Sequence, residues 1–284
     1  MTDARTHAIA ALAVVTAMAA PPALAQGKSK KTNRSPSASA LPASTVITPA
    51  AGSAPFAWID DAGLLAPGAM VVAVSMMRWM GDDVGETQVP VVDMAVGLTS
   101  RVQLAVSMPH IVDATASGGA TGGLGTTYVS SKVGVFEDAK RGVRLAVLPT
   151  LQILGANVAQ AGGASASRVR WGVPVSIDIS RGGGRVYGSS GYFSPGVWFA
   201  GGGAGFEPAP RIAISGSFSR AWAGAGDVRA PGTLRNEVSG GASYAVTPAV
   251  SIFGSIAHTV ATTIENGAGA TLGAGVSVAL PSSR

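Results

Sequence analysis

The sequence contains no cysteine. Disulfides, thiolate metal sites, a cysteine nucleophile and a lipidated N-terminal cysteine are therefore excluded. Charge is also scarce: Asp, Glu, Lys and Arg make up 12% of the 284 residues, where about a quarter is usual in a soluble domain. Long apolar runs are missing too, because nothing after residue 25 reaches the roughly 18 uninterrupted apolar residues of a membrane helix. Histidine occurs three times, at His7, His110 and His258, so base or metal chemistry has few candidates. What is abundant is glycine, at 39 residues, within a chain that is 47% apolar. A chain so poor in charge, yet without helix-length apolar runs, can span a membrane only as a closed barrel. Open strand edges in lipid would leave backbone groups unpaired.

The first residues read as an export leader. Arg5 and His7 precede an uncharged run from Ala8 to Ala20, then Pro21-Pro22 and Ala23-Leu24-Ala25 before Gln26, a small-x-small cleavage pattern. The expectation is a signal peptide over 1–25, removed after export through the Sec route. Residues 26–55 are rich in Ser, Ala, Pro and Thr, carry Lys28, Lys30, Lys31 and Arg34, and hold few large apolar residues. They cannot bury enough surface to offset ordering entropy and are expected to be a disordered basic periplasmic arm. The pI near 9.9 does not imply nucleic acid, because no aromatic-interleaved basic stripe accompanies the dispersed cations.

From 56 to 284 the pattern changes to strict alternation. Val102, Leu104, Val106 and Met108 alternate with Arg101, Gln103, Ala105 and Ser107. Val169, Trp171, Val173, Val175, Ile177 and Ile179 alternate with Arg170, Gly172, Pro174, Ser176, Asp178 and Ser180. Leu272, Ala274, Val276, Val278 and Leu280 do so with Thr271, Gly273, Gly275, Ser277 and Ala279. A period of two is the signature of a strand with one greasy and one polar face. Short turn-like links (Thr99-Ser100, 137–142, 181–184, 207–210, Thr247-Pro248) alternate with longer polar or Gly-rich ones (113–123, 155–167, 223–233, 260–267), as in barrels with short periplasmic turns and long outer loops.

This spacing predicts an all-β antiparallel transmembrane barrel of about twelve strands, with ten to fourteen open: 69–80, 90–98, 101–109, 125–136, 142–154, 169–180, 185–194, 196–207, 211–222, 234–246, 249–259 and 269–280. Both termini of the chain then lie in the periplasm. Trp171 and Trp222 at loop ends and Tyr244 at a turn end fit interfacial girdles.

The run from Ala95 to Pro109, AVGLTSRVQLAVSMP, resembles the GLT-x-R-x-x-L-x-V-x-x-P hairpin of an outer-membrane barrel family labelled as a transporter or as belonging to the MetA pathway of phenol degradation. The segment Tyr244 to Phe253, YAVTPAVSIF, is similar to the same hairpin. The resemblance covers about residues 60 to 280 and implies passage of small organic molecules, aromatic ones among them. Such barrels usually close on a terminal aromatic that the insertion machinery reads, whereas this sequence ends Leu280-Pro281-Ser282-Ser283-Arg284.

In the predicted register the charges facing the interior are Arg101, Lys132, Arg144, Arg170, Arg211 and Arg235 against Asp93, Asp178 and Glu237. That excess of positive charge predicts a mild preference for anions by field focusing, unless the groups pair and plug the barrel. Catalysis is not expected, because His110 and His258 sit near strand ends and His258 lacks the His-x-Ser pair of outer-membrane phospholipases. Asp60-Asp61 and Asp82-Asp83 are adjacent and face opposite ways on extended chain, so neither is an acid/base dyad. Asp82, Asp83 and Glu86 share a predicted outer loop with the oxygen chemistry to hold a divalent cation bridging lipopolysaccharide. The Gly-rich runs 118–125 and 201–205 lack the Lys-Ser/Thr ending of a phosphate loop.

The sequence reading is a passive outer-membrane channel for small solutes, without cofactor. Its expected partners are membrane lipid, lipopolysaccharide and the barrel assembly machinery. A non-conducting structural or interaction barrel and a soluble secreted β-sandwich are the alternatives.

Overall fold

The computed structural model describes residues 59–81, 85–115, 122–156, 168–223, 234–262 and 268–282. The expected leader 1–25 and arm 26–55 lie outside the described residues, as do Asp82 and Asp83. The strands are β1 (Met70–Gly81), β2 (Gly85–Thr99), β3 (Val102–Thr115), β4 (Gly123–Leu124), β5 (Thr127–Asp138), β6 (Val143–Val147), β7 (Thr150–Ile153), β8 (Val169–Arg181), β9 (Gly184–Phe193), β10 (Val197–Ala209), β11 (Ile212–Ala223), β12 (Leu234–Ala245), β13 (Val250–Thr262) and β14 (Gly269–Leu280).

Neighbouring strands pair antiparallel, and β1 pairs with β14 from Met70↔Leu280 to Gly81↔Gly269, so the sheet closes on itself. β6 and β7 together form one stave between β5 and β8, and β4 is a two-residue extension beside β3. Twelve staves result. Closure leaves no free strand edge for lipid to meet.

The break between β6 and β7 departs from the continuous strand predicted over 142–154. Pro149 has no N–H to give a ladder. Its flanks are held instead by Leu148 N donating to Pro174 O at 2.8 Å and Ser131 N donating to Pro149 O at 3.0 Å. β2 starts earlier than predicted, at Gly85, because the ladder resumes below Pro90 after its register shifts between Gln88 and Val91. The residues 185–207 do hold two strands, folded back at Ser194-Pro195-Gly196; there Ser194 N donates to Trp171 O at 2.8 Å, and Trp171 N to Ser194 Oγ at 3.0 Å.

The two faces are inverted relative to a water-soluble protein. Trp171, Val173, Val175, Ile177 and Ile179 of β8 are exposed, while Ser176 and Asp178 between them are fully buried. The same inversion holds on β1, where Val74 and Met76 stand outward while Ser75 is buried, and on β14, where Leu272 and Val276 flank an inner row of Thr271 and Ser277. An exposed apolar belt around the whole wall would aggregate in water; in hydrocarbon it is the matching surface. This rules against the β-sandwich, whose apolar rows face each other. The aromatics follow: at the loop end Trp171 and Tyr192 lie 5.5 Å apart and Tyr192 and Trp198 5.1 Å apart, Trp198 pairs with Trp222, and Tyr244 stands outward at the turn end.

Candidate solute channel

Seven of the nine residues read from sequence as interior charges lie on the inward face of the strands. Asp93, Lys132, Asp178, Arg235 and Glu237 are buried, and Arg144 and Arg170 are half-buried. Arg101 and Arg211 are not inside: both are exposed in turns, and Arg211 has the left-handed backbone of a turn residue, φ 74°. Alternation says nothing about direction once the chain leaves the ladder. Glu86 is a second correction. It is the second residue of β2, buried and bonded to the Gln88 amide, so it is withdrawn from any loop cation site with Asp82 and Asp83. His110 and His258 both face outward and are exposed.

The largest surprise precedes β1. Residues 59–66 turn into the turn end of the barrel, with Ile59, Asp60, Asp61, Ala62 and Leu65 all buried there. This plug is seated by one ammonium group. Lys132 Nζ lies 2.8 Å from Asp60 Oδ2 and donates to Asp61 O at 3.1 Å and Gly63 O at 3.2 Å. A Lys ammonium has three donors. Here all of them reach the plug.

Asp61 is held by more than Lys132. Arg185 Nη1 bonds to Asp61 Oδ2, and Gly63 N donates to Asp61 Oδ1 at 2.8 Å. Leu65 N donates to Gln103 Oε1 at 2.9 Å. Apolar contacts complete the fit: Ile59 against Tyr187, Leu65 against Val71 and Ala95, and Ala62 against Ala146 and Leu148. Two glycines make room. A Cβ on Gly201 would meet Ile59 Cδ1 at 2.4 Å, and one on Gly97 would meet Ala66 O at 2.3 Å. Gly97 is the glycine of the GLT hairpin, and its backbone bonds Gly68 N at 2.7 Å and Ala69 O at 2.9 Å. Gly97→Val is expected to displace the plug by backbone collision alone, with the barrel intact. Protease cleavage near residue 60, faster in the variant than in the parent, would report it, and equal rates would refute it.

Burial alone would raise the Asp61 carboxyl, but Lys132 and Arg185, with the Gly63 amide, outweigh it and hold it below the ordinary carboxylate value. A depressed carboxylate stabilises the docked plug fully above its free value, near 4, and loses that contribution as pH falls through the lower bound value. Plug docking is therefore expected to be flat from neutral pH down to about 4 and to weaken only below it. Conductance that already rises between pH 6 and 5 would contradict the assignment.

Two further ion pairs form among the interior charges. Arg144 Nη2 donates to Asp178 Oδ1 at 2.7 Å, with Ser180 Oγ bonding the same oxygen at 2.7 Å. Arg235 Nη2 donates to Glu237 Oε2 at 3.0 Å and Thr259 Oγ1 at 2.8 Å. Arg101 and Arg211 leave the interior, Asp60, Asp61 and Glu86 enter it, and Arg185 is the cation added; the positive excess expected from sequence is gone, and with it the basis for anion preference.

The interior is lopsided. On the β2 to β10 side the plug, Tyr128, Phe193 and Phe199 fill the space, the two Phe rings 5.8 Å apart. Across from them, apart from Arg235, Glu237 and Phe253, the inner face of β11 to β14 carries mostly small residues, and Ser217, Ser239, Gly241, Ser255, Gly273 and Gly275 are partly exposed. Ser217 and Ser239 hydroxyls lie 2.6 Å apart across the β11–β12 ladder. The accessible surface of the inner wall therefore concentrates on hydroxyls and glycines of these strands.

Two solved structures have the same architecture. The COG4313 outer membrane channel from Pseudomonas putida F1 matches with a TM-score of 0.59 at 14% identity, over 78% of this chain and 98% of that one. The NanC porin matches with a TM-score of 0.53 at 11% identity, over 73% and 98%. The fold is that of outer-membrane channel barrels. No family model and no curated protein sequence matches the chain.

Proposed function

We propose that this chain is a passive outer-membrane channel for small solutes, small organic molecules and aromatic ones among them, delivered as a secreted precursor and inserted by the barrel assembly machinery. The observation that carries the reading is the partly exposed inner wall of β11 to β14, where serine and glycine leave room that the opposite wall does not. Polar, small-residue interiors hold water, and a water-filled route passes solutes without chemistry. The likeness to solved channels supports the fold on which this rests, and the GLT hairpin supports the choice of small organic solutes. The short turns and the plug then face the periplasm and the longer loops the outside.

Single-channel recording of the purified protein in planar bilayers tests the proposal: stepwise conductance is expected. Liposome swelling across sugars, organic acids and aromatic compounds then ranks solutes. The seated plug favours a second reading, a non-conducting barrel with an interaction role. Absence of steps at high protein load, from protein that has inserted, would establish that reading instead.

A further inference from the structure

The outward face carries two arginines near the loop end of the wall, Arg78 on β1 and Arg220 on β11, both exposed. Neither forms an ion pair among the described residues. A guanidinium cannot shed its charge, so on a lipid-facing wall it must reach water or an anion. Their surroundings differ. Arg78 pairs in register with Thr87, whose other partner is the carboxylate Asp113. Arg220 pairs with Asn236 on β12 and Ala200 on β10. Among the described residues, its outward neighbours on β10, β12 and β13 include no acid.

The position of Arg220 adds a second constraint. Trp222, two residues further toward the loops on the same face, pairs directly with Trp198, and Tyr192 stands edge-on to Trp198 at 5.1 Å. Aromatic belts of this kind mark the head-group level. Below Arg220 the wall is apolar again, with Phe218 paired to an exposed Val238. The arginine thus lies one side-chain step beneath the belt, beside small Ala200, and its stem is long enough to carry the guanidinium to the height of the two indoles. Beside it in register stands Asn236, whose carboxamide Nδ2 is a hydrogen-bond donor. A planar fork of donors and a neighbouring amide, at head-group height and with no competing carboxylate, match a phosphate monoester.

We propose that Arg220 and Asn236, framed by Trp198 and Trp222, bind a phosphate of a phosphorylated glycolipid in the outer leaflet. The inference rests on the outer-membrane reading above. The glycolipid would stabilise the inserted barrel without entering the solute route, since both residues face away from the interior.

The full chain in detergent micelles, mixed with diphosphoryl lipid A, monophosphoryl lipid A or phosphatidylethanolamine, tests this by native mass spectrometry of the retained lipid. Diphosphoryl lipid A is expected to be held most tightly. Arg220→Gln should weaken it about fivefold, the change expected from losing one cation at a charged lipid surface. Arg78→Gln should change it little, and Arg220→Lys should restore part of the loss by keeping charge without the fork. Equal retention of phosphatidylethanolamine, or equal lipid A binding by Arg220→Gln and the parent, would overturn the site. Planar-bilayer recording on the same preparations separates the two readings: protein that inserts and conducts but shows no lipid A preference sinks this site alone, while protein that never inserts sinks the membrane reading with it.

Discussion

Replacing Asp60 and Asp61 together by Asn is expected to raise single-channel conductance more than any other pair of substitutions in this chain. The two side chains carry the plug's only charges within 59–66, and both face cations set in the wall, Lys132 and Arg185. Removing one partner of a buried ion pair typically costs about 3–5 kcal/mol, because the other charge is left buried without compensation. Water inside a barrel softens that penalty, so about 3 kcal/mol is a fair upper figure. Even that shifts docked against undocked plug by about two orders of magnitude. The amides remain isosteric, so the apolar contacts of Ile59, Ala62 and Leu65 are untouched and the barrel itself should be as stable as the parent. Planar-bilayer recordings should show larger steps and cleavage near residue 60 should accelerate. A double variant with the parent's step size would show that apolar packing and the Gly97 backbone bonds hold the plug by themselves.

Closing the other wall should act in the opposite direction. Ser239 is central on β12, faces inward, is partly exposed and pairs with Ser217. A tryptophan there carries on the order of 150–250 Å² of side-chain surface. The plug, Tyr128, Phe193 and Phe199 already occupy the opposite side. Ser239→Trp is therefore expected to cut conductance to a small fraction of the parent's while heat-modifiable gel migration, the sign of a folded barrel, persists. The outward Val238→Trp is the matched control and should leave conductance unchanged. If Ser239→Trp conducts like the parent, the route does not follow β11 to β14. The two substitutions also cross-check each other: the aspartate pair opens the plug side, so in the triple variant some conductance should return.

The double effect has one physical origin. Lys132 on β5 lies 2.8 Å from Asp60 Oδ2 and 3.9 Å from Asp61 Oδ1, and Asp61 also meets Arg185 on β9. The two adjacent carboxylates, expected from the sequence to face opposite ways, thus converge on one ammonium. Asp61 alone bridges both cations and so ties one segment to two staves.

Several parts of this arrangement were legible beforehand. Strand positions on β8 and β14 follow from alternation, since a wall with lipid on one side and a polar interior on the other imposes a period of two on every residue between turns. The fold at Ser194-Pro195-Gly196 follows from turn chemistry together with the need for an even number of strands. Asp93, Lys132, Arg144, Arg170, Asp178, Arg235 and Glu237 point inward because each lies within a paired ladder where parity holds. Arg101 and Arg211 were misplaced for the converse reason, as each sits one residue outside its ladder. Arg185 was overlooked although it alternates correctly with Val186 on β9, a strand too short and glycine-rich for its pattern to stand out.

The sequence by itself determined the barrel, the approximate number of its staves and which side of most staves meets lipid, because those are consequences of local periodicity and turn residues. Only the tertiary structure decided that residues 59–66 fold inward and that the interior holds no excess of positive charge. The bonds responsible join positions 71 and 124 apart in the chain, Asp61 to Lys132 and Asp61 to Arg185, and no periodicity along the sequence encodes a partner at such a distance. Their energy depends on the closed wall holding two cations at the right spacing, a geometry that does not exist until β1 has met β14.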